Sequence, residues 1–303
     1  MTEINKSDGM ILINKPVGIT SNKALSKVKR LAGIKKAGHT GTLDPFASGL
    51  LPVCINRGTK LVRYLLHKEK EYTGVIKLGT ATDTLDKTGT IIKEADIPEL
   101  SFETIDQAAV KFRGEIQQIP PSFSALKHNG VPLYKLARQG TMIKKDPRNV
   151  NIYELRIMNF TKNTIKIKVR CSAGTYIRTL AADLAEELNT AGHLETLERT
   201  KSSSFDIKNS VTPDELQDIC SSGNISQYII PPEKIIDFMP EFKVDDTLVP
   251  IILNGGKITV YDVTQNIFPD DVPVRITSPK DELVSIMRKE KNSDFLRYDA
   301  VFN

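Results

Sequence analysis

Residues 38–50 form the segment of this sequence best suited to chemistry. Three glycines within it let the backbone adopt conformations closed to other residues and let a second chain approach closely. Asp44 stands directly before Pro45, which disfavours helical dihedrals at the aspartate and fixes the direction of the chain after it. A carboxylate displayed by such a stiff, non-helical segment can act as a nucleophile. Asp-Pro also begins many ordinary turns, so these local arguments alone favour a turn-capping role for Asp44.

Sequence signatures of several other enzyme classes are missing. The chain has no G-x-G-x-x-G, G-x-x-x-x-G-K-[ST], G-x-S-x-G or H-E-x-x-H pattern, which argues against dinucleotide, Walker-type, serine-hydrolase and zincin sites. Residues 83–89 superficially resemble a calcium loop, but the acid spacing is wrong and the closing glutamate is missing, so we expect a polar turn. The cysteines and histidines are too scattered for zinc-ligand spacing, so a structural zinc site is not expected.

Length and composition describe an ordinary globular protein of about two domains. The 303 residues are 40% hydrophobic and 26% charged, which argues against disordered, coiled-coil and collagen-like classes. No apolar run approaches the roughly 18 residues that a membrane crossing needs, and residues 1–10 do not read as a secretory signal. Three cysteines, an odd and small number, fit free thiols in a reducing compartment. We therefore expect a cytoplasmic protein.

Positive charge is concentrated in the first two thirds of the chain. Residues 1–200 carry a net charge of +11 and residues 201–303 one of −6, within a total of +5. The stretch 121–150 combines basic residues with interleaved aromatics, namely Lys127, Lys135, Arg138, Lys144, Lys145 and Arg148 with Phe123 and Tyr134. Such a combination suits a phosphate backbone with exposed bases beside it. A solvated loop shows the same charge run, so the stretch gains weight only from its neighbours.

Hydrophobic periodicity predicts the elements that position these residues. Apolar runs predict strands, at 10–14, 72–78 and 164–171. The last of these alternates strictly and presents only lysine and arginine on its solvent face. Helical spacing predicts helices after N-caps or turns, at Thr20 or Ser21, at Ser101 and after Gly174. Strands and helices without regular βαβ alternation indicate the α+β class.

A second, smaller unit is predicted at the C-terminal end. Prolines at 231, 232 and 240 mark a linker, after which the pattern changes to short strands and turns. Residues 254–256, Asn-Gly-Gly, are a hairpin signal. We accordingly predict a domain of residues 1–240 and a β-rich domain of residues 241–303.

Residues 38–45, Gly-His-Thr-Gly-Thr-Leu-Asp-Pro, continued by Ala-Ser-Gly-Leu-Leu-Pro at 47–52, closely resemble the catalytic motif of the TruB family of pseudouridine synthases. Further blocks follow in family order: 14–16 with Gly18 and 20–22, 70–72, Asp83-Thr84 and Asp86 with Gly89, 112–114, 118–121, 124–127 and 174–178. The resemblance spans roughly residues 10–201. Beyond about residue 241 the chain only vaguely resembles a small PUA-type RNA-binding barrel.

The resemblance implies an enzyme whose nucleophile is the Asp44 carboxylate. Such an enzyme breaks the uridine N-glycosidic bond, turns the uracil and rejoins it through carbon 5, without a cofactor or metal. The family's usual target is the uridine at position 55, in the T-loop of transfer RNA. Tyr72 is then an aromatic stacked on the target base and a candidate proton acceptor, and Arg178 is the ion-pair partner of Asp44.

The resemblance also implies a set of substrate-binding residues. His39 matches the residue that occupies the space vacated by the flipped nucleotide, and Tyr176 and Leu197 match positions that line the uracil pocket. From the matched blocks we further assign Lys15, Thr42 and Lys127 to substrate binding. Taken singly, each of these residues has an ordinary structural role open to it, in the core, in a turn or on the surface.

The fold implied by the resemblance is a mixed, mainly antiparallel sheet flanked by helices, the pseudouridine synthase catalytic fold, with a PUA-like C-terminal domain. We expect residues 121–150 to be an RNA-binding insertion that is mobile without RNA and closes over the T-loop. We also expect a monomer that needs no protein partner. The chain departs from the family pattern at 56–60, at Glu198 and at Ser203-Ser204, which affects RNA-backbone contacts and pocket shape rather than the proposed nucleophile.

Three other functions stay open from the sequence. One is an RNA-binding or tRNA-folding module without chemistry, which the positive region alone supports. Another is a carboxylate hydrolase, which needs a second acid across the bond, such as Asp83 or Asp86. The third is a relative that depends on a guide RNA.

Overall fold

The computed structural model describes residues 7–264 and 268–303. Residues 1–6, part of the segment considered above for an export signal, lie outside the described residues. Within the described residues the chain forms a large mixed sheet covered by helices and a smaller β-rich unit. In this part of the chain no helix has the length and apolarity that a membrane crossing requires. The predicted α+β fold is confirmed.

The strands of the described residues come singly or in runs of two or three between the helices. In chain order they are β1 (Gly9–Lys15), β2 (Ala37–His39), β3 (Ser48–Ile55), β4 (Lys70–Leu78), β5 (Thr80–Thr82), β6 (Ile91–Glu94), β7 (Gly114–Gln118), β8 (Lys127–His128), β9 (Val131–Pro132), β10 (Arg148–Phe160), β11 (Thr164–Cys171), β12 (Gly192–Ser202), β13 (Phe205–Asp206), β14 (Glu241–Lys243), β15 (Val274–Thr277), β16 (Leu283–Lys289) and β17 (Leu296–Val301). The helices are α1 (Ser21–Leu31), α2 (Val62–Leu65), α3 (Phe102–Val110), α4 (Leu133–Arg138), α5 (Ile177–Glu187), α6 (Pro213–Ser221), α7 (Pro232–Ile235), α8 (Leu248–Leu253) and α9 (Val260–Val263).

The large sheet has the order β1-β3-β12-β4-β11-β10-β7, with β2 paired to β3 and β13 paired to β12. Its pairings are antiparallel except between β12 and β3, which run parallel. The predicted mixed, mainly antiparallel sheet is therefore confirmed. Two short hairpins, β5-β6 and β8-β9, lie outside this sheet.

Burial explains why the strands have the sequence patterns that predicted them. β11 places Ile165, Ile167 and Val169 in the core that α3 and α5 cover, so its apolar residues alternate with cations. β1 is instead buried on both faces, because Ile11 packs against the α1 side and Met10 packs against the C-terminal unit. That double burial is why β1 reads as a continuous apolar run.

Capping residues set the helix starts near the site. Thr20, one of two predicted caps of α1, accepts a hydrogen bond from the backbone N–H of Lys23. Ser101 forms a capping box with Thr104 at the start of α3, as predicted for that helix. The other predicted cap of α1, Ser21, is free to hold the loop that carries Asp44, described below.

The C-terminal unit contains the sheet β14-β15-β16-β17 and the helices α8 and α9. It shares a core with the large sheet, because Ile286 and Phe302 pack in one cluster with Met10 and Leu50. Lys60 also lies over the ring of Phe302, 5.5 Å from its centroid. The smaller unit is thus packed directly on the β1 and β3 side of the large sheet.

Two predictions for this region were wrong. Asn254 is the C-cap of α8 and Gly255 has a φ of 71°, so residues 254–256 end a helix rather than turn a hairpin. A glycine with positive φ serves both structures, and the sequence signal does not distinguish them. The predicted proline-rich linker is also partly helical, since α7 begins at Pro232 and places Ile235 in the shared core.

Candidate active site

A cavity opens where β4, β12 and the start of α5 meet the loop between β2 and β3. Its walls bring together six of the nine sequence-predicted site residues, namely Thr42, Asp44, Tyr72, Tyr176, Arg178 and Leu197. Gly41, Lys70, Ser124 and Arg199 are among the other residues that line it. The residues come from distant parts of the chain, so only the sheet order places them together.

The loop that carries Asp44 is held from both sides. The Ser21 hydroxyl donates to the carbonyl of Leu43 at 3.0 Å and accepts from its N–H at 2.8 Å. The ammonium of Lys15 donates to the carbonyl of Ala47 at 2.6 Å. Because Ser21 and Lys15 are themselves buried, the carboxylate stands on a rigid segment. The sequence expectation of a stiff, non-helical display is met by these contacts.

An ion pair joins the proposed nucleophile to α5. Nε of Arg178 lies 3.0 Å from Oδ2 of Asp44, and the arginine side chain is only 4% exposed. Its other guanidinium nitrogens donate to the carbonyls of Thr84 and Phe123, each at 2.8 Å. Asp86 presents a carboxylate oxygen 3.7 Å from the same guanidinium. Arg178 is therefore fixed by four partners and cannot follow Asp44 if the carboxylate moves.

Burial dominates the electrostatics of Asp44. Although 37% of its side chain is open to the cavity, desolvation raises the pKa of the carboxyl above its ordinary value, and the charge of Arg178 opposes that rise. Asp86 adds to the rise as a nearby like charge, while Lys15 opposes it. The site thus holds a partly desolvated carboxylate beside a guanidinium that favours its ionised form.

Gln118 fixes the start of α5, a role that the sequence did not predict. Its side-chain amide donates to the carbonyl of Tyr176 at 3.0 Å and its oxygen accepts from the N–H of Tyr176 at 2.7 Å. The helix has no side-chain cap of its own at Tyr176. Gln118 is buried at the end of β7, immediately before the insertion, so it ties that strand end to Tyr176 and to Arg178 two residues on.

The aromatic side of the cavity is formed by Tyr72 and Tyr176. Tyr72 lies in β4 and packs against the main core, and burial raises the pKa of its hydroxyl. Burial also raises the pKa of Tyr176. Both hydroxyls are therefore held in their neutral form at neutral pH, and the cavity offers ring faces to a planar ligand beside the apolar Leu197.

Three of the sequence-predicted residues do not line this cavity. Lys15 is fully buried, its ammonium donates to three backbone carbonyls, and burial lowers its pKa to about 8. His39 lies in β2, where burial lowers its pKa and Nδ1 has no hydrogen-bond partner among the described residues. Lys127 is exposed in the β8-β9 hairpin. Lys15 supports the Asp44 loop, whereas Lys127 belongs to the insertion.

Residues 83–89 form the polar turn that the sequence predicts. Oδ1 of Asp86 accepts hydrogen bonds from both the hydroxyl and the N–H of Thr88, and from the hydroxyl of Thr84. Asp83 accepts from the N–H of Thr90. Oδ1 of each carboxylate is thus used in the turn, while Oδ2 of Asp86 lies 3.7 Å from the guanidinium of Arg178.

Comparison with known proteins assigns the chain to a family. Residues 29–177 match the model of the TruB family pseudouridylate synthase, N terminal domain, and residues 178–237 match the tRNA pseudouridylate synthase B C-terminal domain. A protein named tRNA pseudouridine synthase B from Francisella philomiragia subsp. philomiragia is 54% identical over 213 residues, 70% of each chain. Another of that name from Francisella tularensis subsp. tularensis is 49% identical over 268 residues, 84% of this chain and 88% of the relative. The chain belongs to the TruB family of pseudouridine synthases.

Solved structures agree with membership of the TruB family. A Cbf5-Nop10-Gar1 complex contains a chain with a TM-score of 0.77 and 26% identity, which covers 99% of this chain and 87% of that one. An H/ACA RNP bound to a substrate RNA containing 2'-deoxyuridine gives a TM-score of 0.75 at 24% identity, over 97% of this chain and 85% of that chain. The likeness extends through the C-terminal unit as well as the large sheet. The predicted family and fold are both confirmed.

Proposed function

We propose that this TruB family member isomerises uridine to pseudouridine in transfer RNA, at position 55 of the T-loop, with Asp44 as the nucleophile. The observation that carries the proposal is the Asp44–Arg178 ion pair inside a cavity whose other walls are Tyr72, Tyr176 and Leu197. Curated relatives at about half identity bear the name tRNA pseudouridine synthase B.

The proposed reaction begins with a uridine that has left its stack. Extruding a base costs a few kcal/mol, which stacking on Tyr72 in the cavity offsets. His39, in β2, fills the space that the nucleotide leaves in the RNA. The apolar Leu197 and the ring of Tyr176 exclude water from the base once it is bound.

The chemistry needs one ionised carboxylate and one proton acceptor. Asp44 attacks the nucleotide, the bond between N1 and the ribose breaks, and the uracil turns. Carbon 5 then bonds to carbon 1′, and the bond to Asp44 breaks, which restores the free carboxylate. The hydrogen on carbon 5 then leaves as a proton, for which Tyr72 is the candidate acceptor, and N1 takes up a proton from water. Arg178 keeps Asp44 charged in its desolvated position and so supports attack either at carbon 6 or on the sugar.

The substrate surface of the proposal is the insertion 121–150 together with the rim of the cavity. Lys127 is exposed there, and Arg138 lies 5.8 Å from the ring centroid of Tyr134, a cation and aromatic pair suited to phosphate and base contacts.

We further propose residues 1–240 as the catalytic domain and 241–303 as a PUA-like domain. The acidic balance of the latter argues against a broad electrostatic clamp on RNA.

Release of tritium from a tRNA transcript labelled at carbon 5 of uridine tests the proposed function. The purified chain alone should release tritium into water without loss of the base, and chelator should leave the rate unchanged. A transcript in which position 55 is cytidine is the matched control and should release no tritium from that site. Absence of release from the uridine transcript would contradict the proposal.

The same assay separates the alternatives. A tRNA-folding module binds the transcript but releases no tritium. A carboxylate hydrolase releases free base, and the use of Asp83 and Asp86 within their own turn argues against one. A guide-dependent relative is inactive on naked tRNA until an RNA and partner proteins are added. Activity of the purified chain alone would support the proposed independence from protein partners.

A further inference from the structure

Arg199 is the largest side chain that is fully buried in the described residues, and nothing above assigns it a role. It lies in β12, is 1% exposed and lines the same cavity as Asp44. Among residues 7–264 and 268–303, no carboxylate forms an ion pair with its guanidinium. A buried charge without an opposite charge is expensive to keep, so its other contacts must justify it.

Those contacts hold both ends of the nucleophile loop. Nε of Arg199 donates to the carbonyl of Leu50 at 2.7 Å, and NH2 donates to the carbonyl of Gly41 at 3.1 Å. Gly41 precedes Asp44 by three residues and Leu50 follows it by six. One planar guanidinium therefore closes the loop across its base, which the single ammonium of a lysine does not reproduce.

The backbones of β3 and β12 pack closely at Arg199. β12 and β3 pair in parallel with Gly49 opposite Arg199. A Cβ added to Gly49, whose φ is 105°, would lie 2.4 Å from the carbonyl oxygen of Arg199. The glycine is required for this close approach, which brings the arginine side chain under the loop.

Arg199 also faces the pocket tyrosine. In the antiparallel pairing of β12 with β4, Arg199 is directly opposite Tyr72, and side chains so paired lie on one face of the sheet about 5 Å apart at Cβ. The charge of Arg199 lowers the pKa of Tyr72, against the larger rise that burial causes. The same guanidinium thus contacts the loop of the nucleophile and acts on the aromatic proposed to stack on the base.

We propose that Arg199 is a positioning residue for the isomerisation, holding the Asp44 loop and Tyr72 at a fixed separation while the uridine is bound between them. The inference rests on the proposed function and deepens it. Reacting groups must be kept close to their productive geometry, and a displacement of about 1 Å lowers a rate about 100-fold. Because Arg199 lies beneath the loop, it affects catalysis more than RNA affinity.

The test is Arg199→Lys, with Arg275→Lys as the matched control. The control arginine also donates to a backbone carbonyl, that of Glu233 at 3.0 Å, but lies in β15 of the C-terminal unit. Arg199→Lys should lower kcat for tritium release about 100-fold and change KM less than threefold, whereas Arg275→Lys keeps both. An equal loss in both variants, or wild-type kcat in Arg199→Lys, would overturn the proposal.

Two further measurements separate positioning from folding. Tyr72→Phe in a double-mutant cycle should show coupling, so that Arg199→Lys lowers kcat less in the Tyr72→Phe background than alone. In the RNA-free Arg199→Lys variant, amide hydrogen exchange should become faster in residues 41–50 and stay unchanged in β10 and β11. Faster exchange throughout the protein would overturn the proposal. Additive losses of kcat in the double-mutant cycle would overturn it as well. If wild type releases no tritium at all, the proposed function has failed, and exchange alone still tests the loop contact.

Discussion

At the scale of single residues, the site depends on how a carboxylate is kept reactive inside a cavity. Asp44 is desolvated by its surroundings and stabilised in charged form by Arg178, which is itself held by backbone carbonyls. In the proposed mechanism both influences are needed. Burial without the guanidinium favours the neutral, protonated carboxyl, and full solvation lowers the reactivity of the carboxylate. The balance between them sets the pH at which the enzyme works.

The pH dependence of the single-turnover rate should reflect that balance. Because burial raises the Asp44 pKa above its ordinary 3.8, the acidic limb of the profile should have its midpoint above pH 3.8, with full rate near neutrality. Arg178→Met removes the charge that lowers this pKa, so the midpoint of the acidic limb should move to higher pH. This shift is expected in addition to any fall in the maximal rate. A profile that peaks well below pH 4, or an unshifted limb in the variant, contradicts the role given to Asp44.

Sequence reasoning found some of these residues and missed others for a physical reason. Asp44 was recognised through its motif, whereas local arguments alone favoured a turn cap. Gln118 acts on a residue 58 positions away, and Arg199 on one 149 positions away. Their residue types carry no signal of those partners. The sheet order β3-β12 brings Arg199 to Leu50, and the packing of the end of β7 against the start of α5 brings Gln118 to Tyr176.

At the scale of elements, the junction of β7 with α5 positions the ion pair. Gln118 replaces the missing N-terminal cap of α5 and lies directly before the insertion. The carbonyl of Phe123, inside the insertion, in turn accepts from Arg178. The segment that we propose to contact RNA is therefore bonded to the side chain that controls Asp44.

Replacing Gln118 by Glu should test this junction. The carboxylate still accepts from the Tyr176 N–H but no longer donates to its carbonyl, and it repels that oxygen. Misplacement of Arg178 should lower kcat for tritium release by about 10–100-fold. The neighbouring, exposed Gln117→Glu makes the same change of charge and should keep wild-type activity. Equal activity of the two variants contradicts the positioning role.

The insertion itself is expected to respond to RNA. Residues 121–150 contain the β8-β9 hairpin and α4, with basic residues on their surface. We predict that limited proteolysis cuts this segment rapidly in the free protein and slowly when tRNA is bound, because closure over the T-loop shields it. A transcript without the T-loop is the control. Equal cleavage rates with and without tRNA would count against closure.

The strand β11 shows where a charge pattern misleads. Its alternation predicted the buried face correctly, and its cations do point away from the core. The neighbouring strand β4 and the residue before it, however, place acids beside these cations: Lys168 pairs with Glu71 at 3.1 Å and Arg170 with Glu69 at 2.8 Å. A single strand's sequence does not contain its neighbours' charges, so the cationic face it suggested is largely neutralised.

At the scale of the whole molecule, the two units are joined by a common core rather than by a free linker. Ile286 of β16 is fully buried in the cluster that also contains Met10 and Leu50 of the large sheet. The prolines that suggested a linker lie beside residues of this cluster, and proline content alone does not reveal such packing. The catalytic sheet and the C-terminal unit should therefore unfold together.

Ile286→Ala should lower the free energy of unfolding by about 2–5 kcal/mol, since a buried side chain is replaced by a cavity. Urea titration followed by both circular dichroism and tritium release should give one shared transition for both signals. Exposed Ile92→Ala, on the β5-β6 hairpin, is the control and should leave the midpoint unchanged. Loss of the C-terminal unit at a urea concentration where activity persists contradicts a shared core.

The most direct measurement is the amount of pseudouridine formed at position 55 of a tRNA transcript by Asp44→Asn under single-turnover conditions, beside wild type. Asn keeps the shape of the side chain but cannot act as a nucleophile. We predict complete conversion by wild type and none by Asp44→Asn, with tRNA affinity retained in the variant. Pseudouridine accumulating at the wild-type pace in Asp44→Asn would contradict the mechanism proposed for this enzyme.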